Sequence, residues 1–215
     1  MDNISYILYI CFLIPMLLSL FILEKRSRLV VGFILIGTTV CLFVSELNGL
    51  LYDVLNRDML YFCTTVSPLT EEVVKALPIL FLAFLVSDDR QKLIQASFAT
   101  GLGFAILENM IMLTQNMSTI DISWAIIRGF GAGLMHSICT VAIGYGISFV
   151  KKKKKLFWCG TLALLMLAVT YHAIYNTIVM SKYKYFGFVL PFVTYIPSLI
   201  LFARSRKEKN ENKSS

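Results

Sequence analysis

The stretch Thr70-Glu71-Glu72-Val73-Val74-Lys75-Ala76-Leu77-Pro78 places two carboxylates and an ammonium at the head of a run that is otherwise apolar through Val86. On a helix Glu71 and Lys75 are four residues apart and Glu72 and Lys75 three, so all three share a face. A charged side chain inside lipid costs at least ~2.5–3.5 kcal/mol on insertion scales. Three in five residues therefore need partners, water or a chemical task. Neighbouring carboxylates of this kind suit a water-activating base. A plainer reading makes the segment a helix start, with Ser67 or Thr70 as cap, Pro68 in the first turn and the glutamates favoured by the helix dipole. That reading leaves the other polar groups of the apolar stretches unexplained.

Three further constellations lie inside hydrophobic runs. Gly101-Leu102-Gly103-Phe104-Ala105-Ile106-Leu107-Glu108-Asn109 carries a carboxylate and an amide, with glycines that permit close helix approach. Arg128-Gly129-Phe130-Gly131-Ala132-Gly133-Leu134-Met135-His136 contains a small-xxx-small pair, Gly129 and Gly133, with His136 and Thr140 continuing roughly that face. His172-Ala173-Ile174-Tyr175-Asn176 sets an imidazole and an amide one helical turn apart. Each motif alone has a packing explanation in interhelical hydrogen bonds. The chain has two histidines, and both fall in apolar stretches. A thiol, Cys139, lies near His136, but a buried thiol without activation is inert.

The elements that must position these groups are membrane helices. The chain has 215 residues, 57% hydrophobic and 15% charged, too little polar surface for a soluble domain. Apolar runs occur at about 4–23, 29–47, 70–86, 93–114, 123–150, 156–179 and 186–202. The expectation is an all-α, polytopic bundle of about seven transmembrane helices, forming one membrane domain over 1–203 with a charged tail at 204–215. The first run lacks the basic flank of a signal peptide and exceeds the length of its apolar core, so it reads as a retained span. Leu50, Leu51, Val54, Leu55 and Leu60 are expected to form one face of a short interfacial helix between the second and third spans. Five cysteines, Cys11, Cys41, Cys63, Cys139 and Cys159, are odd in number and contain no CxxC, which argues against a disulfide framework.

Charge sets the expected orientation. Lys25, Arg26 and Arg28, then Arg90 and Lys92, then Lys151 to Lys155, then the tail, fall on one side; the alternate loops hold only Arg57, Lys182 and Lys184. The positive-inside bias places the N-terminus outside and the C-terminus in the cytoplasm. The net charge of +7 thus reads as an orientation signal facing the lipid bilayer, with no nucleic-acid partner. With a rise of ~1.5 Å per residue, Glu108 and His172 fall about 10 Å below the outer boundary and His136 about 20 Å below it, in reach of Glu71 and Glu72.

Taken together, Glu71-Glu72-Val73-Val74-Lys75, Phe104-Ala105-Ile106-Leu107-Glu108-Asn109, Arg128 with His136, and His172 with Asn176 resemble the PrsW family of bacterial intramembrane proteases. Order and spacing match over roughly 65–180. The wider superfamily is similar to CAAX prenyl endopeptidases and to bacteriocin-immunity membrane proteins. This chain departs from the pattern at Glu24-Lys25-Arg26-Ser27-Arg28, where an acidic-Pro signature is expected, and at Asn176, where some relatives carry aspartate. The resemblance implies a multi-pass enzyme of the bacterial cell membrane that cuts a single-pass membrane protein on its extracytoplasmic side, such as an anti-sigma factor. The rival readings are a non-catalytic immunity or scaffold protein and a proton-coupled transporter; against transport, no inverted repeat is visible.

On the protease reading Glu72 is the expected base, with Glu71 and Lys75 setting its charge environment. Glu108, His136, His172 and Asn176 then position water or a metal and stabilise the oxyanion. Two cofactor arrangements follow. Glu108, His136 and His172 could hold Zn2+ with a fourth position open for water. Alternatively no cofactor is used, and Glu72 with a histidine activates water directly. The chain has no His-Glu-x-x-His helix, and Asn176 is a poor zinc ligand but a good oxyanion donor. The prenyl endopeptidases look glutamate-dependent, although PrsW proteins are commonly described as metalloproteases. The balance favours the metal-free route and predicts activity that survives chelation.

Overall fold

A computed structural model describes residues 3–56, 58–116, 121–151 and 153–196. Among them every regular element is helical: α1 (Asn3–Ser19), α2 (Lys25–Leu55), α3 (Met59–Tyr61), α4 (Ser67–Phe81), α5 (Arg90–Gln115), α6 (Ile122–Ile126), α7 (Gly133–Ile147), α8 (Thr161–Val179) and α9 (Phe186–Ile196). Wide π turns at Phe62–Val66, Leu82–Val86, Ile127–Ala132 and Leu156–Gly160 interrupt or extend these helices. The path is therefore helical without a break from 59 to 86 and from 122 to 147.

Four helices are long and apolar enough to cross a membrane: Ser27–Leu55, Arg90–Gln115, Ile122–Ile147 and Leu156–Val179. The last two fall close to the spans expected at 123–150 and 156–179. Three of the seven expected spans differ in kind. The first is the shorter α1, ending at Ser19; the third, α4, carries Glu71, Glu72 and Lys75; the seventh is described only as α9. Residues 197–203 and the tail lie outside the described residues. The interfacial helix expected from Leu50 to Leu60 is not separate. The second helix runs on through Leu55, and Asn56 stops it in the left-handed conformation (φ 47°, ψ 45°), its N–H bonded to the Tyr52 carbonyl. Asparagine tolerates that backbone better than most residues, so the chain turns there without a glycine.

The long helices pack in sequence, α2 on α5, α5 on α7 and α7 on α8, while α4 leans across α2, α7 and α8. Ile79, Leu93, Ile143 and Ile147 are fully buried where α4, α5 and α7 meet, and Cys41, Phe104 and Leu107 fill the space between α2 and α5. Glycine makes two of these crossings tight. A Cβ on Gly103 would collide with the Ile34 carbonyl of α2, and one on Gly101 would sit 2.5 Å from the His136 carbonyl of α7. The pair Gly129 and Gly133 does not serve as the expected packing face, since a Cβ at either would meet nothing within 4 Å. The π turn Ile127–Ala132 widens the helix between them and breaks the four-residue register on which that reading depended. Gly131, inside the turn, is the glycine in contact: a Cβ there would meet the Tyr175 hydroxyl at 2.8 Å.

Candidate active site

The leaning helix α4 buries Glu71, Glu72 and Lys75, with Glu72 and Lys75 turned toward the histidines of α7 and α8. Glu72 and Lys75 have no solvent exposure at all. In so dry a place two charges persist only as a close pair with further hydrogen bonds. The Lys75 ammonium donates to Glu72 Oε1 at 2.6 Å and to His136 Nδ1 at 2.9 Å, and it lies 4.4 Å from the centre of the Phe104 ring. An ammonium has only donors, so Nδ1 of His136 accepts and the ring proton resides on Nε2. That nitrogen faces Glu108 Oε2 at 3.2 Å. His172 donates from Nδ1 to Glu72 Oε1 at 2.9 Å and sets Nε2 3.7 Å from Glu71 Oε2; in the neutral ring that nitrogen carries the lone pair. The two imidazoles meet edge to face with centres 4.9 Å apart. The depth difference of about 10 Å expected between His136 and His172 from residue rise does not keep the two rings apart.

A second ion pair closes the other side. The Arg128 guanidinium donates to Glu108 Oε2 and, from Nε at 2.9 Å, to Asn109 Oδ1; the Asn109 amide returns a bond to the Arg128 carbonyl at 3.1 Å. Asn109 therefore holds both ends of Arg128, a role its place beside Glu108 only hints at. This side is the more open one, with the Glu108 side chain 19% exposed.

Among the described residues the buried cluster holds three carboxylates but two permanent cations. Lys75 neutralises Glu72 and Arg128 neutralises Glu108. Glu71 has no such partner: Oε1 accepts from the Ser67 hydroxyl at 2.5 Å, and Oε2 is buried with no hydrogen bond. A buried carboxylate in that position must take up positive charge, as a proton or as a cation. Glu72 Oε2 is also unpartnered, but its carboxylate is already bound twice through Oε1.

The same imbalance decides which residues could hold a metal. Donor atoms of Glu71, His136 and His172 lie within 4.8 Å of one another. The expected set had Glu108 in place of Glu71; Glu108 is instead taken by Arg128. One carboxylate and two histidines with a position left open fit a catalytic zinc, and Glu72 behind His172 orients that ring in the way carboxylates support metal-bound histidines. Lys75 and Glu108 hold both nitrogens of His136, which joins such a set only by releasing one of them.

Of the seven residues expected in the site, six converge: Glu71, Glu72, Lys75, Glu108, His136 and His172. Asn176 lies one turn beyond His172 and donates one amide hydrogen to the Cys63 carbonyl at 2.9 Å. The reason is local. The Phe62–Val66 turn bonds the Ser67 N–H to the Phe62 carbonyl, and Pro68 has no N–H to offer the next carbonyl, so Asn176 supplies it. Tyr175, absent from the expected set, is fully buried beside His172 and its hydroxyl has no partner. In the sequence it looks like one more aromatic of an apolar helix.

No solved structure matches this chain. It is 25% identical to "Protease PrsW" of Clostridioides difficile (strain 630), over 96% of this chain and 92% of that protein. The model of the PrsW-protease family, described as "PrsW family intramembrane metalloprotease", matches residues 25–202, which takes in α2 and every helix that contributes to the buried cluster. With that match over most of its length, the chain belongs to the PrsW family of intramembrane proteases.

Proposed function

We propose that this protein is an endopeptidase that hydrolyses a single-pass membrane protein on its extracytoplasmic side, with an anti-sigma factor as the substrate type. The observation that carries the hydrolytic part of the reading is Glu71 Oε2, buried without a hydrogen bond and 3.7 Å from His172 Nε2 inside a charge-lined cluster; the side of cleavage and the substrate type rest on the charge bias of the loops and on the family resemblance. Both of these atoms are acceptors, so together they suit the two hydrogens of one water, or a cation. That geometry supports Glu71 rather than Glu72 as the base. Glu72 is spent on Lys75 and His172, and its service is to hold both in place.

In the reaction Glu71 Oε2 takes a proton from water as the water oxygen bonds to the peptide carbon, and His172 Nε2 steers the second hydrogen. Glu71 returns the proton to the leaving nitrogen as the carbon–nitrogen bond breaks. The negative charge that develops on the carbonyl oxygen requires donors. Candidate donors are the Tyr175 hydroxyl, which has no partner, the second amide hydrogen of Asn176, and the His136 Nε2–H if it leaves Glu108. The family description names a metalloprotease; a divalent ion held by Glu71, His136 and His172 would supply Lewis-acid polarisation and a more acidic water, and Glu71 would then be its ligand in place of the base. The Glu72–Lys75 pair fixes His172 and His136 in either case.

The test is cleavage in proteoliposomes of a panel of single-span membrane proteins with extracytoplasmic domains. Wild type should yield a discrete extracytoplasmic fragment, and Glu71→Gln at equal membrane level should yield none. Full activity in Glu71→Gln would remove Glu71 as base. Cleavage confined to cytoplasmic domains would reverse the proposed side.

A further inference from the structure

The hydrogen bonds of Glu71 continue away from the cluster into the second helix, outside all four motifs. Ser67 gives its hydroxyl proton to Glu71 Oε1 at 2.5 Å. The same hydroxyl oxygen accepts from Asn48 Nδ2 at 3.0 Å. Asn48 in turn is fixed at its other end, where Thr70 donates to Oδ1 at 2.6 Å. Asn48 lies near the end of α2, and Tyr52, one turn further along that helix, packs edge-on against Phe62 with ring centres 5.3 Å apart. Both contacts bind α2 to the segment that leads into Glu71.

The direction of these bonds is determined. The Asn48 amide nitrogen can only donate, so it occupies a lone pair of the Ser67 oxygen and leaves the Ser67 proton for Glu71. An ionised Glu71 can only accept, so Ser67 spends its one proton there and must accept from Asn48, which puts Nδ2 at Ser67 and leaves Oδ1 to accept from Thr70. We infer that Asn48 and Ser67 are positioning residues for the peptidase reaction: they anchor Glu71 Oε1 and thereby aim Oε2 at the reacting water and His172. The inference rests on the reading of Glu71 as base. A carboxylate tied at neither oxygen would swing about its side-chain torsions and present either oxygen in several places. One tied through Oε1 to a hydroxyl braced from another helix presents Oε2 in one place. Misplacing a reacting group by about 1 Å can cost on the order of a hundredfold in rate.

The experiment uses full-length protein in proteoliposomes and two readouts. The first is infrared absorption in the carboxylate region, where subtracting Glu71→Gln from wild type isolates the Glu71 band. Ser67→Ala should move that band, Asn48→Leu should move it in the same direction by less, and Ser67→Thr, which keeps the hydroxyl, should restore it. This readout needs no substrate and stands whether or not the protein proves to be a protease. A Glu71 band unmoved in both Ser67→Ala and Asn48→Leu would overturn the inference. The second readout is cleavage of a single-span substrate from the panel above. Loss of positioning predicts kcat lower by about 10–100-fold in Ser67→Ala and about tenfold in Asn48→Leu, with KM unchanged and Ser67→Thr near wild type. A mere clasp between α2 and α4 would instead lower the amount of folded protein and leave kcat per folded molecule intact, which would also overturn it. If Glu71→Gln cleaves as well as wild type, the base assignment fails, and the positioning role falls with it.

Discussion

Lys75→Met is the most informative single perturbation of the buried cluster. The Nζ–Oε1 distance of 2.6 Å and zero exposure of both side chains make Glu72–Lys75 a fully desolvated pair. Removing one partner of such a pair strands the other charge and costs about 3–5 kcal/mol. For a chain of this size, a change of 1 kcal/mol moves the midpoint by roughly 2–4 °C, so the variant should unfold about 6–20 °C lower. Methionine approximates the lysine stem in volume and retains a favourable contact with Phe104, so little of the loss is a packing defect. The double variant Glu72→Gln/Lys75→Met should recover most of the deficit, because the introduced amide oxygen still accepts from His172 and no charge is stranded. The expected coupling is about 2–4 kcal/mol, well above the 0.2–1 kcal/mol of an exposed pair. Reversible unfolding in mixed micelles, followed by helical circular dichroism for wild type, both single variants and the double, measures it. A coupling below about 1 kcal/mol would refute the reasoning, because it would mean that water reaches Glu72 and that the cluster is not dry.

Other consequences are open to direct measurement. Gly101→Ala should separate α5 from α7 and abolish cleavage with a clear loss of stability, because its Cβ would press on backbone 2.5 Å away, whereas Gly133→Ala, with nothing within 4 Å, should be tolerated; thermal midpoints of the two variants check the contrast. Zn2+ that remains on the purified protein, measured by atomic emission after gel filtration, should fall to background in Glu71→Ala and His172→Ala and persist in Glu108→Gln, which would make Glu71 a ligand and remove it as the base; persistence in Glu71→Ala would return the third ligand to Glu108. Tyr175→Phe should lower kcat about tenfold with little change in stability, since the hydroxyl it deletes has no partner to lose; an unchanged kcat would take Tyr175 out of oxyanion stabilisation. An impermeant thiol reagent applied to intact cells should label Cys63 in a variant lacking the other four cysteines, and tags in the 151–155 loop should stay inside; the reverse pattern would move the site to the cytoplasmic half.

Composition and apolar periodicity by themselves determined that the chain is helical and built around long apolar segments, because in lipid a backbone must satisfy its own hydrogen bonds. They also determined which polar residues stand out, since Glu71, Glu72, Lys75, Glu108, His136 and His172 are costly where they occur and converge in the structure. Motif order was enough to indicate the family. Partner choice was beyond the reach of spacing. Nothing local says that Arg128 takes Glu108 and so leaves Glu71 as the uncompensated carboxylate, because that depends on α5 and α7 touching at Gly101. The helix-period argument for Gly129 and Gly133 failed at a π turn, whose extra residue per turn is invisible to a pattern of small side chains. Asn176 could be placed on the face of His172, but its attachment to the Cys63 carbonyl follows from a proline more than a hundred residues away. Asn48 lay beyond every motif and became part of the site only because α2 crosses α4 there. The sequence determines which groups are too costly to be idle. Tertiary packing decides which neutralises which, because in a dry interior that depends on distances of about 3 Å between helices far apart in the chain.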